Sequence, residues 1–217
     1  MKKTWLLFAS ITLAISMLTA CNSTDKANDN EDKTDSQVET TDETTGEGTE
    51  AEQKTTKKRD SEKTLTYSVK KEVKEDTAIL TESDDQNFSL YKLDGFSLKG
   101  DEPSMDSLYL DDNPAVFMKV ETISKDEASV EIIAKNMKES IASVSINKEP
   151  IEIGKDKLPQ GEGVLNTSGF QTTFELGTVS GYVFEQGNLI VRLTIFDQKS
   201  VNLTDAFLKM GETIASK

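Results

Sequence analysis

The sequence predicts an α+β domain, in which two main helices pack on a central antiparallel sheet, preceded by a disordered tether. Three observations lead to this prediction. After residue 64 the composition changes from polar, low-complexity sequence to regularly spaced apolar residues. That spacing switches between the two-residue period of strands and the longer period of helices, in the order strands, helix, strands, helix. This order favours an antiparallel sheet covered by helices.

The chain opens with a short apolar segment that ends at its only cysteine, Cys21. Lys2 and Lys3 precede a mostly apolar run from Trp5 to Leu18. A positive start, an apolar core and small residues before a cut site are typical of a secretory signal. The run is shorter than the about 20 apolar residues of a membrane-spanning helix. We therefore expect residues 1–20 to be a signal peptide.

Leu18-Thr19-Ala20-Cys21 resembles the lipobox of bacterial lipoproteins. The resemblance implies that signal peptidase recognises Leu18, Thr19 and Ala20, and that the Cys21 sulfur carries a diacylglyceryl anchor. The anchor would hold the protein on the outer face of the bacterial plasma membrane, since two acyl chains bind stably where one binds marginally. The alternative is an ordinary secretory signal with an incidental cysteine. An intrachain disulfide is excluded, because Cys21 has no partner.

Residues 21–64 read as the lipidated cysteine and an acidic, disordered tether. Val38 is the only large apolar residue after Cys21 in this segment, so it buries too little surface to fold. A flexible chain of this length spans roughly 35–40 Å on average. Its end turns basic at Lys57-Lys58-Arg59. We interpret these residues either as a contact for anionic lipid or wall polymer, or as a solvated linker end.

Residues 65–217 are long enough for a single domain with its own core. Of the chain's net charge of −14, this part carries −10. Nucleic-acid binding requires a basic surface, so the sequence predicts no nucleic-acid partner.

The first half of the domain alternates apolar and polar residues and is broken by turn residues. We expect one hairpin turn at Lys74-Glu75-Asp76, another turn at Asp94-Gly95, and a third at Asp111-Asp112-Asn113-Pro114. The predicted strands between them are Leu65–Val73, Thr77–Thr81, Phe88–Leu93, Phe96–Leu98, Leu108–Leu110 and Ala115–Ile123.

The second half begins with a helix, predicted over Asp126–Val144 from apolar residues at helical spacing. The strands Ile151–Ile153, Phe170–Leu176, Val179–Gln186 and Leu189–Phe196 follow, with a tight hairpin at Gly187-Asn188. Leu189–Phe196 is apolar on both faces, so we place it at the centre of the sheet. A final helix is predicted from Thr204 to Ala215.

This arrangement over residues 86–217 resembles the PsbP-like superfamily, whose domains have a central antiparallel sheet flanked by helices. The run Leu193–Phe196 through Asp205–Leu208 is also similar to uncharacterised lipoproteins of Gram-positive bacteria. The resemblance implies a binding or assembly role and supplies no catalytic residues.

Much familiar chemistry is missing from the sequence. The chain has no histidine, which removes Ser-His-Asp catalysis and His-rich metal sites. Gly161-Glu162-Gly163 matches no phosphate-binding loop and reads as a flexible turn. We therefore predict no catalytic residues, no cofactor and no metal ligands.

Two groups of side chains nevertheless remain candidates for binding. Turn acids suit calcium, although their spacing does not match an EF-hand; they are Asp101, Glu102, Asp106, Asp111 and Asp112. Aromatic side chains in strands belong either to the core or to a surface that stacks on a sugar or peptide; they are Tyr91, Phe96, Tyr109 and Tyr182.

The sequence thus favours a membrane-anchored extracytoplasmic lipoprotein with a non-catalytic, acidic interaction domain. Its partners would be the membrane, through Cys21, and an unknown protein or cell-wall component. A small-ligand or calcium-binding lipoprotein is one alternative. An enzyme that uses carboxylates alone is the other.

Overall fold

The structure, a computed structural model, describes residues 58–144 and 149–217. These residues form two antiparallel sheets, of four and seven strands. The smaller sheet has the order β1-β2-β3-β11 and the larger has the order β4-β5-β6-β10-β9-β8-β7. The strands are β1 (Glu62–Val69), β2 (Glu72–Glu82), β3 (Phe88–Leu93), β4 (Phe96–Glu102), β5 (Met105–Leu110), β6 (Asn113–Ser124), β7 (Ile151–Glu152), β8 (Val164–Thr173), β9 (Gly177–Gln186), β10 (Leu189–Gln198) and β11 (Ala215–Ser216). The helices are α1 (Val130–Val144) and α2 (Thr204–Gly211), with a 3-10 turn at Lys155–Lys157.

The predicted α+β class with one central sheet is wrong. Strands hold 54% of the described residues and helices 17%, so the fold is a mostly β, sandwich-like or barrel-like one. The error arises at Asp94-Gly95, where Gly95 has φ 79°. The sequence prediction placed the strands on both sides of this turn in one sheet. In the structure β3 pairs with β2 and β11, whereas β4 pairs with β5. The turn connects the two sheets. The local sequence does not distinguish such a connection from a hairpin within one sheet.

The main core lies among the two sheets and α2. It combines Leu90 from the smaller sheet, Met118 and Leu193 from the larger sheet, and Phe207 from α2, all fully buried. Phe96 packs edge-on against Phe207, with ring centroids 5.2 Å apart. Helix α2 therefore fills the interior beside both sheets instead of covering one of them from outside.

Strand β10 is central, as predicted, because it pairs with β6 on one side and β9 on the other. Its inward residues join the main core, whereas Ile190 joins a second cluster on the outer face. Helix α1 covers that outer face through Met137 and Ile141. The helix sits directly on Gly181 of β9, where an added Cβ would lie 2.2 Å from Met137 Sδ.

Several predicted boundaries move. The first hairpin turns at Lys70-Lys71, both with positive φ, so Lys74-Glu75-Asp76 lies inside β2. Paired positive φ values suit a tight hairpin but favour Asn or Gly, which hid this turn from sequence reasoning. Helix α1 begins at Val130 and not Asp126, and β8 ends at Thr173 and not Leu176.

Helix α2 ends at Gly211 because the chain turns there to pair with β3. Ala215 and Ser216 lie opposite Ser89 and Phe88 in the smaller sheet. The start of the domain also shifts, since β1 begins at Glu62, three residues before the predicted Leu65. Neither helix in the described ranges has the length and apolar character that crossing a membrane requires.

Candidate functional site

A cleft of about 580 Å³ lies on the inner face of the larger sheet, where β9 and β10 approach α2. Side chains from the end of β1, from β8, and from the 3-10 turn with the loop before it complete its walls. Most of the lining residues are polar in type, although apolar atoms supply the larger share of the lining surface. They are Ser68, Gln171, Thr178, Ser180, Tyr182, Gln198, Asn202 and Thr204, the charged residues Asp156, Lys157, Asp197, Lys199 and Asp205, and the apolar residues Ile153 and Leu208.

Asp197 is the most deeply buried acid of the cleft, with 5% of its surface exposed. It follows Ile195 on the inward-facing side of β10. Its Oδ2 accepts the N–H groups of Leu203 and Thr204, both at 2.8 Å, and the Thr204 hydroxyl at 2.7 Å. Its Oδ1 is also buried, yet no described residue donates to it. The carboxylate is thus oriented by the start of α2 and satisfied on one oxygen only.

Asp205 and Tyr182 lie in the same cleft. Asp205 Oδ2 accepts the N–H of Ser68 at 2.7 Å, which ties the end of β1 to α2. Tyr182 is only 4% exposed, and this burial raises its pKa to about 12. The negative charge of Asp205 adds to the rise, whereas a hydrogen bond with Ser180 opposes it. The Tyr182 phenol therefore stays protonated, and able to donate, across the physiological pH range.

A second cleft, of about 360 Å³, lies between β1, the end of α2 and the turn at Gly161. Gly161 and Glu162, predicted to form a flexible turn, line it, and Gly163 adopts φ 79°. Lys209 and Glu212 also line it, but they pair with each other at 2.9 Å. Arg59, Lys63 and Glu162 also line it, so its charged residues sum to +1, opposite in sign to those of the larger cleft.

The basic run Lys57-Lys58-Arg59, interpreted from the sequence as a lipid or wall contact or as a solvated linker end, is divided. Lys57 lies outside the described residues, and Lys58 is exposed. Arg59 contacts the domain itself: its guanidinium donates to Ser89 O and Oγ and to Thr213 O, and lies 4.5 Å from the centre of the Tyr91 ring. In this arrangement Arg59 fastens the beginning of the domain to its end.

The acids considered for calcium do not come together. Asp101 accepts hydrogen bonds from Ser107 and Tyr109 on the outer face of the larger sheet, and these bonds lower its pKa. Asp106 faces the interior, where Ser83 and Gln86 donate to it. Glu102, Asp111 and Asp112 are exposed. Within residues 58–144 and 149–217, no group of three or more acids, histidines or cysteines is placed to hold a metal ion.

The candidate aromatics also separate. Tyr91, Phe96 and Tyr182 are buried, so they belong to the core. Tyr109 is half-exposed and stands in a row with Phe117 and Phe196 across three neighbouring strands. Phe117 and Phe196 stack with centroids 4.5 Å apart, so their ring faces cover each other. Stacking covers one face of each of these two rings, and all three aromatic side chains of the row are partly exposed.

Sequence reasoning missed Asp197 and Asp205, although one signal was present. In β10, Leu193 and Ile195 alternate on the inward side, and the next inward position is an acid. An acid in a buried register is costly unless it is paired or hydrogen-bonded, so such a position marks a special role. The lipobox residues Leu18, Thr19, Ala20 and Cys21 lie outside the described residues.

Comparison with known proteins gives a match to a protein family and similarity to solved structures. A family described as a domain of unknown function (DUF8580) matches residues 59–161. Most of the residues that line the larger cleft follow this stretch. A protein from Bacteroides thetaiotaomicron VPI-5482, with a crystal structure at 1.50 Å resolution, is similar over 60% of this chain and 45% of its own, at 12% identity and a TM-score of 0.39. That likeness spans less than half of the other protein and carries no argument here. No curated protein is similar in sequence.

Proposed function

We propose that this protein is a membrane-anchored extracytoplasmic lipoprotein whose acidic domain binds a ligand and performs no chemistry on it. Cys21 carries the lipid anchor in this proposal, with Leu18, Thr19 and Ala20 as the peptidase recognition residues. The protein would then work on the outer face of the bacterial plasma membrane. Its partners would be the membrane and a component of the surrounding surface or wall.

The observation that supports a binding role is the polar cleft around Asp197. A buried carboxylate oxygen without a donor is uncommon in folded proteins, because leaving it unpaired costs free energy. The hydroxyl, amide and charged side chains that line the cleft can hydrogen-bond a polar ligand. The net charge of −10 over residues 65–217 favours a cationic or neutral ligand over a nucleic acid.

A carboxylate-only enzyme is the second candidate, because Asp156, Asp197 and Asp205 line one cleft. Asp197 and Asp205 already accept backbone hydrogen bonds within the fold, from the N–H groups of Thr204 and Ser68 respectively. That use favours binding over catalysis. An activity that disappears when all three acids are changed to Asn, in a protein that stays folded, would favour the enzyme instead.

The anchor is tested by expressing Cys21→Ala beside the wild type in a bacterial host. We expect the wild type in the membrane fraction, with the intact mass of a diacylated protein that starts at residue 21. We expect the variant to be released or unprocessed. Thr24→Ala is the matched control, since it lies just after the lipobox and should behave as wild type. If wild type and Cys21→Ala are both soluble and unlipidated, the anchor proposal is wrong.

A further inference from the structure

We propose that the second cleft binds an extended peptide segment of another protein, which adds an antiparallel strand to the free edge of β1. One carboxylate of that segment would lie beside Lys63 and Arg59. The inference goes beyond the proposed function, because it concerns another cleft and does not depend on the lipid anchor or on Asp197. It comes from the open backbone edge of β1 and from two cations beside that edge that pair with no described acid.

The pairing of β1 with β2 determines which backbone groups of β1 are left over. Leu80 N donates to Ser61 O at 2.9 Å, directly before the first residue of β1. Hydrogen-bonded positions alternate along an antiparallel pair, so the odd-numbered residues of β1 bond to β2 and the even-numbered ones point away from it. Ser68 agrees with this, because its N–H donates to a carboxylate of α2 at 2.7 Å. The N–H and C=O groups of Thr64 and Thr66 therefore point away from β2.

These backbone groups open into the second cleft. Four consecutive residues of β1, from Lys63 to Thr66, line it. Side chains of consecutive strand residues point to opposite faces, so the cleft runs along the edge of the strand. Thr64 and Thr66 are exposed, and no described residue bonds to their backbone groups. An added strand would thus pair with groups that solvent can reach.

β1 has a longer regular edge than the other edge strands of the two described sheets, which are β4, β7 and β11. β7 and β11 have two residues each, and the pairing of β4 shifts its register between Gly100 and Glu102. All eight residues of β1 pair with β2 without such a shift. Short edges and bulges hinder the addition of a further strand, so β1 is the edge best suited to accept one.

Two positive charges lie together beside this edge. The Arg59 guanidinium carbon and Lys63 Nζ lie 4.5 Å and 5.8 Å from the centre of the Tyr91 ring. No ion pair among the described residues includes either cation, whereas Lys209, which also lines the cleft, pairs with Glu212. A carboxylate of a bound segment would therefore meet two charges that the described residues leave without a counterion.

The local charge favours a segment with a single acidic side chain. Three basic and two acidic residues line the cleft, a sum of +1, although residues 65–217 carry −10. At physiological ionic strength the Debye length is about 8 Å, so charges beside the peptide outweigh distant ones. One carboxylate gains the local attraction, whereas a strongly acidic segment would be repelled by the domain as a whole.

The antiparallel register places that carboxylate. Residues directly opposite each other on neighbouring strands have side chains on the same face. A glutamate opposite Lys63 would thus share a face with Lys63 and the buried Leu65. The peptide residues on either side of the glutamate would lie opposite Glu62 and Thr64, whose backbone groups point away from β2.

The capped peptide acetyl-VTVEVTV-amide is the probe. Isotope-labelled full-length protein in detergent is titrated with it, and the backbone amide signals are followed by NMR. We expect saturable shifts of the Thr64 and Thr66 amide signals, because their N–H groups gain hydrogen bonds, and smaller shifts at Leu65. The glutamine peptide acetyl-VTVQVTV-amide should bind about threefold more weakly, since it lacks the charge. Absence of saturable shifts at Thr64 and Thr66, or equal affinities for the two peptides, would overturn the inference.

Peptides with methylated backbone nitrogens test the strand pairing itself. The N–H groups of the two valines beside the glutamate point at β1 in the proposed register, so methylating both should abolish binding. The N–H groups of the two threonines point away from β1, so methylating both should leave the affinity unchanged. Equal affinities of these two peptides contradict an added antiparallel strand. Inorganic phosphate that produces the same shifts at Thr64 and Thr66 would indicate a simple anion site and also overturn the inference.

Lys63→Gln tests the charge. We expect the preference for the glutamate peptide over the glutamine peptide to fall from about threefold to less than about twofold. Lys74→Gln is the matched control, because Lys74 lies on the neighbouring strand β2 and does not line the cleft. An unchanged preference in Lys63→Gln contradicts the proposed role of this lysine.

Thr64→Pro removes a free N–H from the edge of β1. The β1–β2 ladder should stay intact, because this N–H does not bond to β2. We expect the glutamate peptide to bind at least about tenfold more weakly, and wild-type affinity in the folded variant would overturn the inference. If Thr64→Pro does not fold, the methylated peptides make the same test on the wild type. Failure of every peptide to bind a protein still anchored through Cys21 removes this partner class and leaves the lipoprotein proposal standing.

Discussion

Arg59 offers a sharp test of how the domain is closed, through the substitution Arg59→Ala. The guanidinium donates to Ser89 O at 3.0 Å, to Ser89 Oγ at 2.7 Å and to Thr213 O at 2.6 Å. It also lies over the Tyr91 ring, whose hydroxyl donates to Asp60 O at 2.9 Å. These contacts join the segment before β1 to β3 and to the chain that leads into β11. Removing the side chain breaks the three hydrogen bonds and the ring contact of the guanidinium at once, and leaves the bond from Tyr91 to Asp60 O in place.

The expected loss follows from these contacts. A hydrogen bond to a charged group contributes about 1.5–3 kcal/mol when water is excluded. A cation–π contact at an exposed site adds about 0.5–1 kcal/mol. Arg59 is half-buried, so water competes for its hydrogen bonds in the folded protein. In Arg59→Ala, water can also solvate the acceptor groups that the guanidinium leaves. We therefore expect the free energy of unfolding to fall by about 2 kcal/mol in total. With a urea slope near 2 kcal/mol/M, the midpoint moves down by about 1 M.

Urea unfolding followed by circular dichroism measures this shift. Lys58→Ala is the control, because Lys58 is the exposed neighbour of Arg59 and should change the stability by less than about 0.5 kcal/mol. Arg59→Lys should fall between wild type and Arg59→Ala, since a lysine keeps the charge near Tyr91 but lacks the planar fork. If Arg59→Ala unfolds at the wild-type midpoint, the contacts contribute no net stability and the reasoning fails.

Three further predictions concern buried positions. Gly181→Ala should lower the free energy of unfolding by about 1–3 kcal/mol, because its methyl group would collide with Met137; combined with Met137→Ala, the loss in urea unfolding should be smaller than the sum of the two single losses. Burial raises the pKa of Asp106 above 3.8, so its contribution to stability is largest in acid and is lost as pH rises through the raised pKa. Urea unfolding at several pH values measures the free energy of unfolding of wild type and of Asp106→Asn. From acid to neutral pH, the wild type should lose stability relative to the variant. A difference between the two proteins that does not change with pH would contradict this. In a pH titration followed by tyrosinate absorbance, Tyr182→Phe should differ from wild type only near pH 12, where the Tyr182 phenol ionises. A difference in absorbance already present at pH 10 would show that burial does not raise the pKa of Tyr182.

Elements with a strong local pattern were predictable. Leu189–Phe196 was identified as a central strand because apolar residues occupy both of its faces, and β10 indeed lies between β6 and β9. The helix before it was found from its apolar stripe, and α1, Val130–Val144, lies within the predicted range. The hairpin at Gly187-Asn188 was also correct, because Gly187 has φ 59° and glycine favours that region.

The division into two sheets was not predictable, for a physical reason. Leu93 and Phe96, on either side of Asp94-Gly95, are both buried, as they would be in a hairpin or in a crossover between sheets. Which of the two forms depends on pairings outside the turn: β3 pairs with β11, at the far end of the chain, whereas β4 pairs with the next strand, β5. Local alternation specifies which face of a strand is buried but not which sheet the strand joins.

The candidate site shows the same limit. The acids chosen from the sequence, such as Asp101 and Asp106, stood close together in the chain, yet they lie on the paired strands β4 and β5. Asp106 lies opposite Gly100, so Asp101, the next residue, points to the other face of the sheet. The acids that do share a cleft, Asp197 and Asp205, lie on different elements and meet through the turn into α2. The inward position of Asp197 in β10 was the only indication in the sequence. Its role could not be inferred without knowing that α2 packs beside it.

By itself the sequence determined the composition-level properties: an acidic chain without histidine, one cysteine in a lipobox-like setting, a polar stretch before residue 64, and the period of each strand and helix. These properties are local or additive, so they can be read without coordinates. Tertiary structure alone decided that the strands divide into two sheets, that α2 is interior, that Arg59 is a structural contact, and that Asp197 keeps a buried oxygen without a donor. Each of these depends on residues brought together from distant parts of the chain, and such pairings arise from the packing of the whole core.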